Sequence, residues 1–300
     1  MGTLLALLVF FALFGIFLTQ YLPLWMTDNE SAFSSAAGTS FAQFKADVDS
    51  QYVLGVPPVL GAPFTVSSQG IPLLAQPTQG TLTFLPQTCP AGFNANGQPV
   101  NTAYCIFENQ TLQYGPGGSG KLYLEVPTGI LAMTLPNRYY SAEYYQYEAD
   151  GVVQAQAGGA QIMAFAPPLN ITRAAGNTTV SASFLQLYGN ATTVVSQGSE
   201  EVYSHLRFAQ YLTSNGNRTA HSFSYSYEIG TQFPCAWSQF LWSQVNQSGL
   251  PTSAYTFIPY SGSCNNPAGA TTDLTLTLSA VNYVTIFYAG TAVTVGIGSS

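Results

Sequence analysis

The first 22 residues carry no charged side chain, and Leu4 to Leu18 is an almost unbroken run of Leu, Phe, Ala, Val and Ile. A run of that kind permits few folds. As a helix of ~24 residues it spans roughly 36 Å against a hydrocarbon core of ~30 Å, so its length suits a membrane. Its flanks do not. A secretory signal has a basic stretch in front and a small-residue cleavage site behind. An anchor has Lys or Arg on its cytoplasmic side, and here the first cation is Lys45. The segment needs apolar surroundings but lacks the usual cues for a permanent place in a bilayer.

The helix is expected to continue past the run. Phe33, Ala37, Phe41, Phe44, Val48 and Tyr52 recur at spacings of three and four, one stripe of a 3.6-residue period. Asp28, Lys45, Asp47 and Asp49 are read as its outer face. Residues 1–53 thus form one long helix, apolar over 1–26 and amphipathic over 27–53. Pro23 has no N–H and clashes with the carbonyl near Thr19, so a kink or short melted stretch is expected there, with Gly38 a second weak point. Residues 54–80 hold Pro57, Pro58, Pro63, Pro72 and Pro77 and read as an extended connector with little regular structure.

Residues 81–300 read as a β-rich head. Alternation marks strands at Lys121–Val126, Ile130–Leu135, Tyr139–Tyr147, Val180–Leu187, Ser222–Tyr227, Asp273–Leu278 and Asn282–Tyr288, with Ala292–Ile297 as a last strand. One helix interrupts them, with Pro234 in its first turn and Gly249 at its stop. The fold class is α+β: a long N-terminal hydrophobic helix, then a mainly antiparallel, sandwich-like head with one short helix.

Charged residues are 6% of the chain against ~25% in soluble domains, and the net charge is −7. With no Lys/Arg stripe to displace counterions from phosphates, nucleic acid is not an expected partner. Cys89, Cys105, Cys235 and Cys264 form an even set that allows three connectivities. Pairing of sequence neighbours is preferred, and disulfides point to an extracytoplasmic place. Seven Asn-X-Ser/Thr sequons occur. Asn109, Asn170, Asn177, Asn190, Asn217 and Asn246 are candidate glycosylation sites. Asn29, inside the helix, is the poorest.

Catalytic groupings do not assemble. Gly115 to Lys121 meets half of a phosphate-loop pattern, but Leu122 replaces the hydroxyl and a strand follows, so a hairpin turn is expected. His205 and His221 have no ligand-spaced companions. Glu143, Glu148 and Asp150 read as a solvated edge, with a calcium site as the sharper alternative. Tyr139, Tyr140, Tyr144, Tyr145 and Tyr147 are read as packing between sheets and subunits rather than as a sugar platform. No catalytic residue, metal ligand or cofactor is expected.

The plan of charge-free helix, amphipathic helix and β-rich head resembles type IV pilins and related archaeal filament subunits. In detail the chain is similar to archaeal pilin-like membrane proteins. The matching pieces are Phe41-Ala-Gln-Phe44-Lys45-Ala-Asp47, Gly70-Ile-Pro-Leu-Leu74 with Gly80-Thr-Leu-Thr-Phe84, Asn137-Arg-Tyr-Tyr140 through Glu148, Gly151-Val-Val153 and Cys235-Ala-Trp237. Leu5 stands where bacterial pilins carry a glutamate, which fits the archaeal branch.

The resemblance implies a prepilin peptidase that removes a basic leader, a pilus assembly machinery, and residence in the cell membrane before assembly. The expectation is a glycosylated subunit of an extracellular, cell-surface filament whose partners are identical copies. Leu4, Leu5, Leu7, Leu8, Phe10, Phe11, Leu13, Phe14, Phe17 and Leu18 would form the polymerisation core. Phe33, Phe41, Phe44, Val48 and Tyr52 would pack the helix on the head. The rivals are a monomeric single-pass surface glycoprotein with a binding head and, further off, an extracytoplasmic enzyme.

Overall fold

The computed structural model describes residues 2–54, 58–86, 106–114, 120–215, 223–264 and 271–296. Helix α1 (Gly2–Ile16) passes through a π-helical turn (Phe17–Tyr21) into α2 (Leu22–Leu54). The π turn answers the proline. Leu22 N–H reaches Phe17 O, five residues back, and Thr19 Oγ1 donates to Gly15 O at 2.9 Å. The wider turn lets the helix run on without the melted stretch expected at Pro23. Gly38 is not a weak point either: the helix is continuous there, and a Cβ would lie 3.4 Å from the Tyr145 hydroxyl, an ordinary contact.

Sixteen strands follow among the described residues: β1 (Leu60–Thr65), β2 (Thr81–Leu85), β3 (Phe107–Tyr114), β4 (Gly120–Pro127), β5 (Ile130–Leu135), β6 (Glu143–Glu148), β7 (Gly151–Gln156), β8 (Gln161–Phe165), β9 (Asn170–Ala174), β10 (Asn177–Tyr188), β11 (Thr192–Val194), β12 (Ser199–Asn215), β13 (Phe223–Thr231), β14 (Tyr255–Phe257), β15 (Thr272–Val281) and β16 (Tyr283–Val295). Helix α3 (Pro234–Ser248) sits between β13 and β14 and has Pro at its start. It stops at Gly249, whose φ of 66° suits a residue without Cβ.

The strands make three sheets. The first, β1-β12-β16-β10-β9, is antiparallel except where β10 runs parallel to β16. The second, β11-β2-β5-β6-β7-β8, and the third, β14-β15-β13-β3-β4, are antiparallel throughout.

Two hydrophobic cores share the first sheet. One joins α2 to the first two sheets through Phe41, Phe44, Phe64, Leu131 and Phe287. The other lies beneath α3, between the first and third sheets, around Trp237, Tyr225 and Leu276. Strand β10 alternates between them: Val180, Ala182 and Phe184 enter the core beneath α3, while Leu185 and Leu187 enter the helix core.

Three strand expectations need correction, and eight strands had no expectation. The segment read as a connector contributes β1, whose Ala62 and Phe64 are buried against α2. Ala292 to Val295 is the end of β16, not a separate strand. The strand expected from Tyr139 begins at Glu143, because residues 138–140 turn their N–H groups toward Glu30. Strands β2, β3, β7, β8, β9, β11 and β14 had no reading, and neither had the long β12. Its alternation is broken by a bulge between Leu206 and Phe208, and charges punctuate it. The Gly-rich 115–119 turn lies outside the described residues. Its flanking strands β3 and β4 pair as a hairpin, from Phe107↔Pro127 to Tyr114↔Gly120.

Candidate assembly surface

Helix α1 has no buried residue. Leu4, Leu5, Leu7, Leu8, Phe10, Phe11, Leu13 and Phe14 are all exposed, and Phe17 and Leu18 are half-exposed. Apolar side chains surround the whole helix rather than one face. Phe10 stacks on Phe14 at 6.0 Å, and Phe17 contacts Tyr21 and Trp25 at 6.1 and 5.8 Å. A helix apolar on every side requires cover on every side. The stretch is long and apolar enough to cross a membrane.

The same helix enters the head as its central pillar. Phe33, Phe41, Phe44 and Val48 are buried, as the stripe predicts, whereas the Tyr52 side chain lies outside the described residues. Phe41 meets Phe64 at 5.1 Å and stacks on Tyr145 at 5.7 Å, and Phe44 meets Tyr147 edge-on at 5.2 Å. Burial of these four helix side chains contributes roughly 6–12 kcal/mol before chain entropy is set against it.

Polar clamps fix the register. Glu30, fully buried, accepts a 2.5 Å bond from Thr78 Oγ1 and backbone N–H bonds from Arg138, Tyr139 and Tyr140 at 3.0, 2.6 and 2.8 Å. Burial pushes its pKa up, but the Thr78 hydroxyl and the three N–H groups outweigh it and hold the carboxyl below its usual value. Ser34 donates to Glu143, and Gln51 Nε2 donates to Ser204 O at 2.8 Å.

Lys45 and Asp47 are buried, which overturns their assignment to the outer face; Asp28 is exposed as expected. Lys45 Nζ lies 3.1 Å from Asp49 and 3.3 Å from Asp150. Burial disfavours the ammonium, yet the Asp150 and Asp49 charges raise its pKa above the usual lysine value. Asp47 accepts from Gln43 at 2.7 Å, and burial raises its carboxyl.

The carboxylates expected at a solvated edge, Glu143, Glu148 and Asp150, are buried as well. Asp150 belongs to a two-residue hairpin turn, Ala149-Asp150, with φ values of 45° and 60°. Non-glycine residues adopt that conformation at a cost, offset here by the Lys45 ion pair and by bonds from Tyr147 Oη at 2.9 Å and Ser183 Oγ at 2.6 Å. Glu148 accepts from Thr231, Trp237 Nε1 and Gln146, and burial still raises its pKa. These groups bind protein donors, so the calcium alternative finds no support: no metal-ligand cluster of His, Cys, Asp or Glu occurs among the described residues.

The tyrosines divide. Tyr145 and Tyr147 pack on α2 and Tyr144 on Phe233, whereas Tyr139 is exposed. Cys235 and Cys264 form a disulfide with Cα atoms 5.7 Å apart, as preferred. Cys89 and Cys105 lie outside the described residues.

Among the sequons, Asn170, Asn177, Asn190 and Asn246 are exposed, and Asn217 lies outside the described residues. Asn109 is a correction. It is buried on β3 and its amide donates to Tyr123 Oη at 3.0 Å and Glu228 at 2.9 Å, so no oligosaccharide transfer can reach it in the folded head. Asn29 donates to Gln69 O at 3.0 Å. His205 is half-buried on β12, and His221 lies outside the described residues.

Sequence reasoning missed Glu30 and the Ala149-Asp150 turn. Glu30 had a signal: it sits three residues before Phe33, on the core stripe itself. An acid on an apolar stripe requires buried donors. No protein-family model, no curated protein and no solved structure matches the chain.

Proposed function

We propose that this chain is a structural, pilin-like subunit of an extracellular filament, polymerising through its N-terminal helix. The observation that carries the reading is α1, apolar around its full circumference and without one buried residue, in helical continuity with a pillar that the head encloses. A removable signal does not need to be built into the core of the mature fold. A polymer supplies what the helix lacks, since each buried Leu or Phe contributes ~1.5–3 kcal/mol and every subunit offers many. The bilayer serves as the waiting place before assembly. The exposure of Asn170, Asn177, Asn190 and Asn246 supports this reading, in which they would carry glycans on an outer sheath and a leader peptidase and assembly machinery would act on the chain.

The second reading, a single-pass surface protein, draws on the same membrane-length apolar stretch. Electron microscopy of sheared cell-surface material separates the two. The filament reading expects a helical polymer of this chain, lost in Phe11→Asp and Leu13→Lys although the head still folds. Filaments that persist with a charge at either position, or no filament at all in the unsubstituted protein, overturn it.

A further inference from the structure

Residues 70–77 form a loop with a fixed backbone and an apolar tip. Ile71 and Ala75 exchange two N–H···O bonds of 2.9 Å, and Leu74 N–H donates to Ile71 O at 3.0 Å. With Pro72 second and Leu73 third at φ 66°, Ile71–Leu74 is a type II turn. The third position of such a turn ordinarily holds Gly, because a Cβ is crowded there. Here it holds Leu, with a relative exposure of 106%, next to a part-exposed Leu74. The neck is closed tightly: a Cβ on Gly70 would lie 2.7 Å from Pro77 N and 2.8 Å from Ala75 O. A strained backbone that presents an apolar side chain to water brings the isolated protomer nothing, and such outliers gather where a partner uses them.

The position of the loop identifies the partner. Gln69 O accepts from Asn29, and Thr78 bonds Glu30, so the neck is fastened to α2 about one helical turn, ~6 Å, beyond Trp25 and the end of the apolar stretch. A loop made for lipid headgroups would carry Trp, Tyr, Lys or Arg. Residues 70–77 carry none, and no charge occurs from 54 to 80. The extended Leu/Phe surface that matches this tip is α1, and packed cylinders leave grooves that a branched side chain fills.

We propose that Leu73 and Leu74 seat on α1 of a second copy of this chain, so that the head as well as neighbouring helices covers the apolar axis. The proposal rests on the filament reading. Its test places the photoreactive residue p-benzoylphenylalanine at position 73 of the full chain, in filaments mixed from isotope-labelled and unlabelled copies. Mass spectrometry after irradiation is expected to join the loop to residues 2–22 of a differently labelled copy. Crosslinks only to heads, to lipid or within one copy, or none, overturn the proposal while intact filaments uphold the filament reading. If the unsubstituted chain forms no filament, both fall. Leu73→Asn keeps the turn, since Asn tolerates positive φ, and removes the apolar tip. It is expected to raise the subunit concentration needed for assembly about tenfold or more, with the melting midpoint unchanged or higher. Unchanged assembly overturns the proposal.

Discussion

Glu30→Gln isolates the clamp that fixes the helix to the head. The carboxylate receives Thr78 Oγ1 on Oε1, the Tyr139 and Tyr140 N–H groups on Oε2, and the Arg138 N–H shared between both oxygens at 3.0 Å. Gln keeps the shape and can leave its carbonyl oxygen facing the three N–H groups, while the Thr78 hydroxyl reverses to accept from the new amide. What vanishes is the charge. Charge-assisted hydrogen bonds are about twice as strong as neutral ones, so three weakened bonds predict a loss of ~2–4 kcal/mol, or a midpoint lowered by roughly 5–10 °C.

The pH dependence supplies a signature that a mere packing defect lacks. Glu30 titrates below its ordinary value in the fold, so its stabilisation is present above the unfolded-state carboxylate pKa. It is lost as pH falls through the lowered folded value. The gap between the native chain and Glu30→Gln should therefore be full at neutral pH and close in acid. Denaturant unfolding of the full chain in detergent, followed by tryptophan fluorescence from pH 3 to 7, measures it. A gap within ~0.5 kcal/mol at neutral pH, or one that does not change with pH, refutes the reasoning.

Three further outcomes are expected. Lys45→Met strands Asp150 without its buried counter-ion and should cost ~3–5 kcal/mol by chemical denaturation, with Lys45→Met/Asp150→Asn recovering much of it; an unrecovered double variant contradicts the pair. Burial lifts Glu108 to a pKa of about 8, against hydrogen bonds from Gln110 and Tyr227. Its contribution is complete below the unfolded-state value near 4.5 and declines as pH rises toward 8, so Glu108→Gln should flatten the fall in stability over that window; an identical slope in both proteins counts against it. Glycopeptide mass spectrometry should find oligosaccharide at Asn170, Asn177, Asn190 or Asn246 and none at Asn109, and a modified Asn109 would contradict its burial.

Legibility in the sequence followed periodicity. The Phe33 to Val48 stripe, α3 between Pro234 and Gly249, and β5 at Ile130–Leu135 were readable because each repeats locally and needs no distant partner to be recognised. Strand β12 was not, since a bulge shifts its alternation, and β1 was hidden among prolines that an edge strand tolerates. The exposed apolar helix was legible as a string of residues. The exposed Leu73 at the tip of its turn was not, because no rule of composition places Leu at the glycine position of a turn.

The sequence alone determined that residues 2–25 must find apolar surroundings on all sides, because a run without charge has no face for water. It also determined that the following helix turns one stripe inward. Only the tertiary structure decided the fate of the polar residues. Lys45, Asp47, Glu143, Glu148, Asp150 and Asn109 look like surface residues in a string of letters, Glu30 alone sits on the core stripe, and all are buried. For the two clamps on α2, burial of the charge depends on partners supplied from more than a hundred residues away, as Arg138 to Tyr140 serve Glu30 and Asp150 serves Lys45. Local pattern carries no record of such distant pairings, and they hold α2, the amphipathic half of the long helix, against the head.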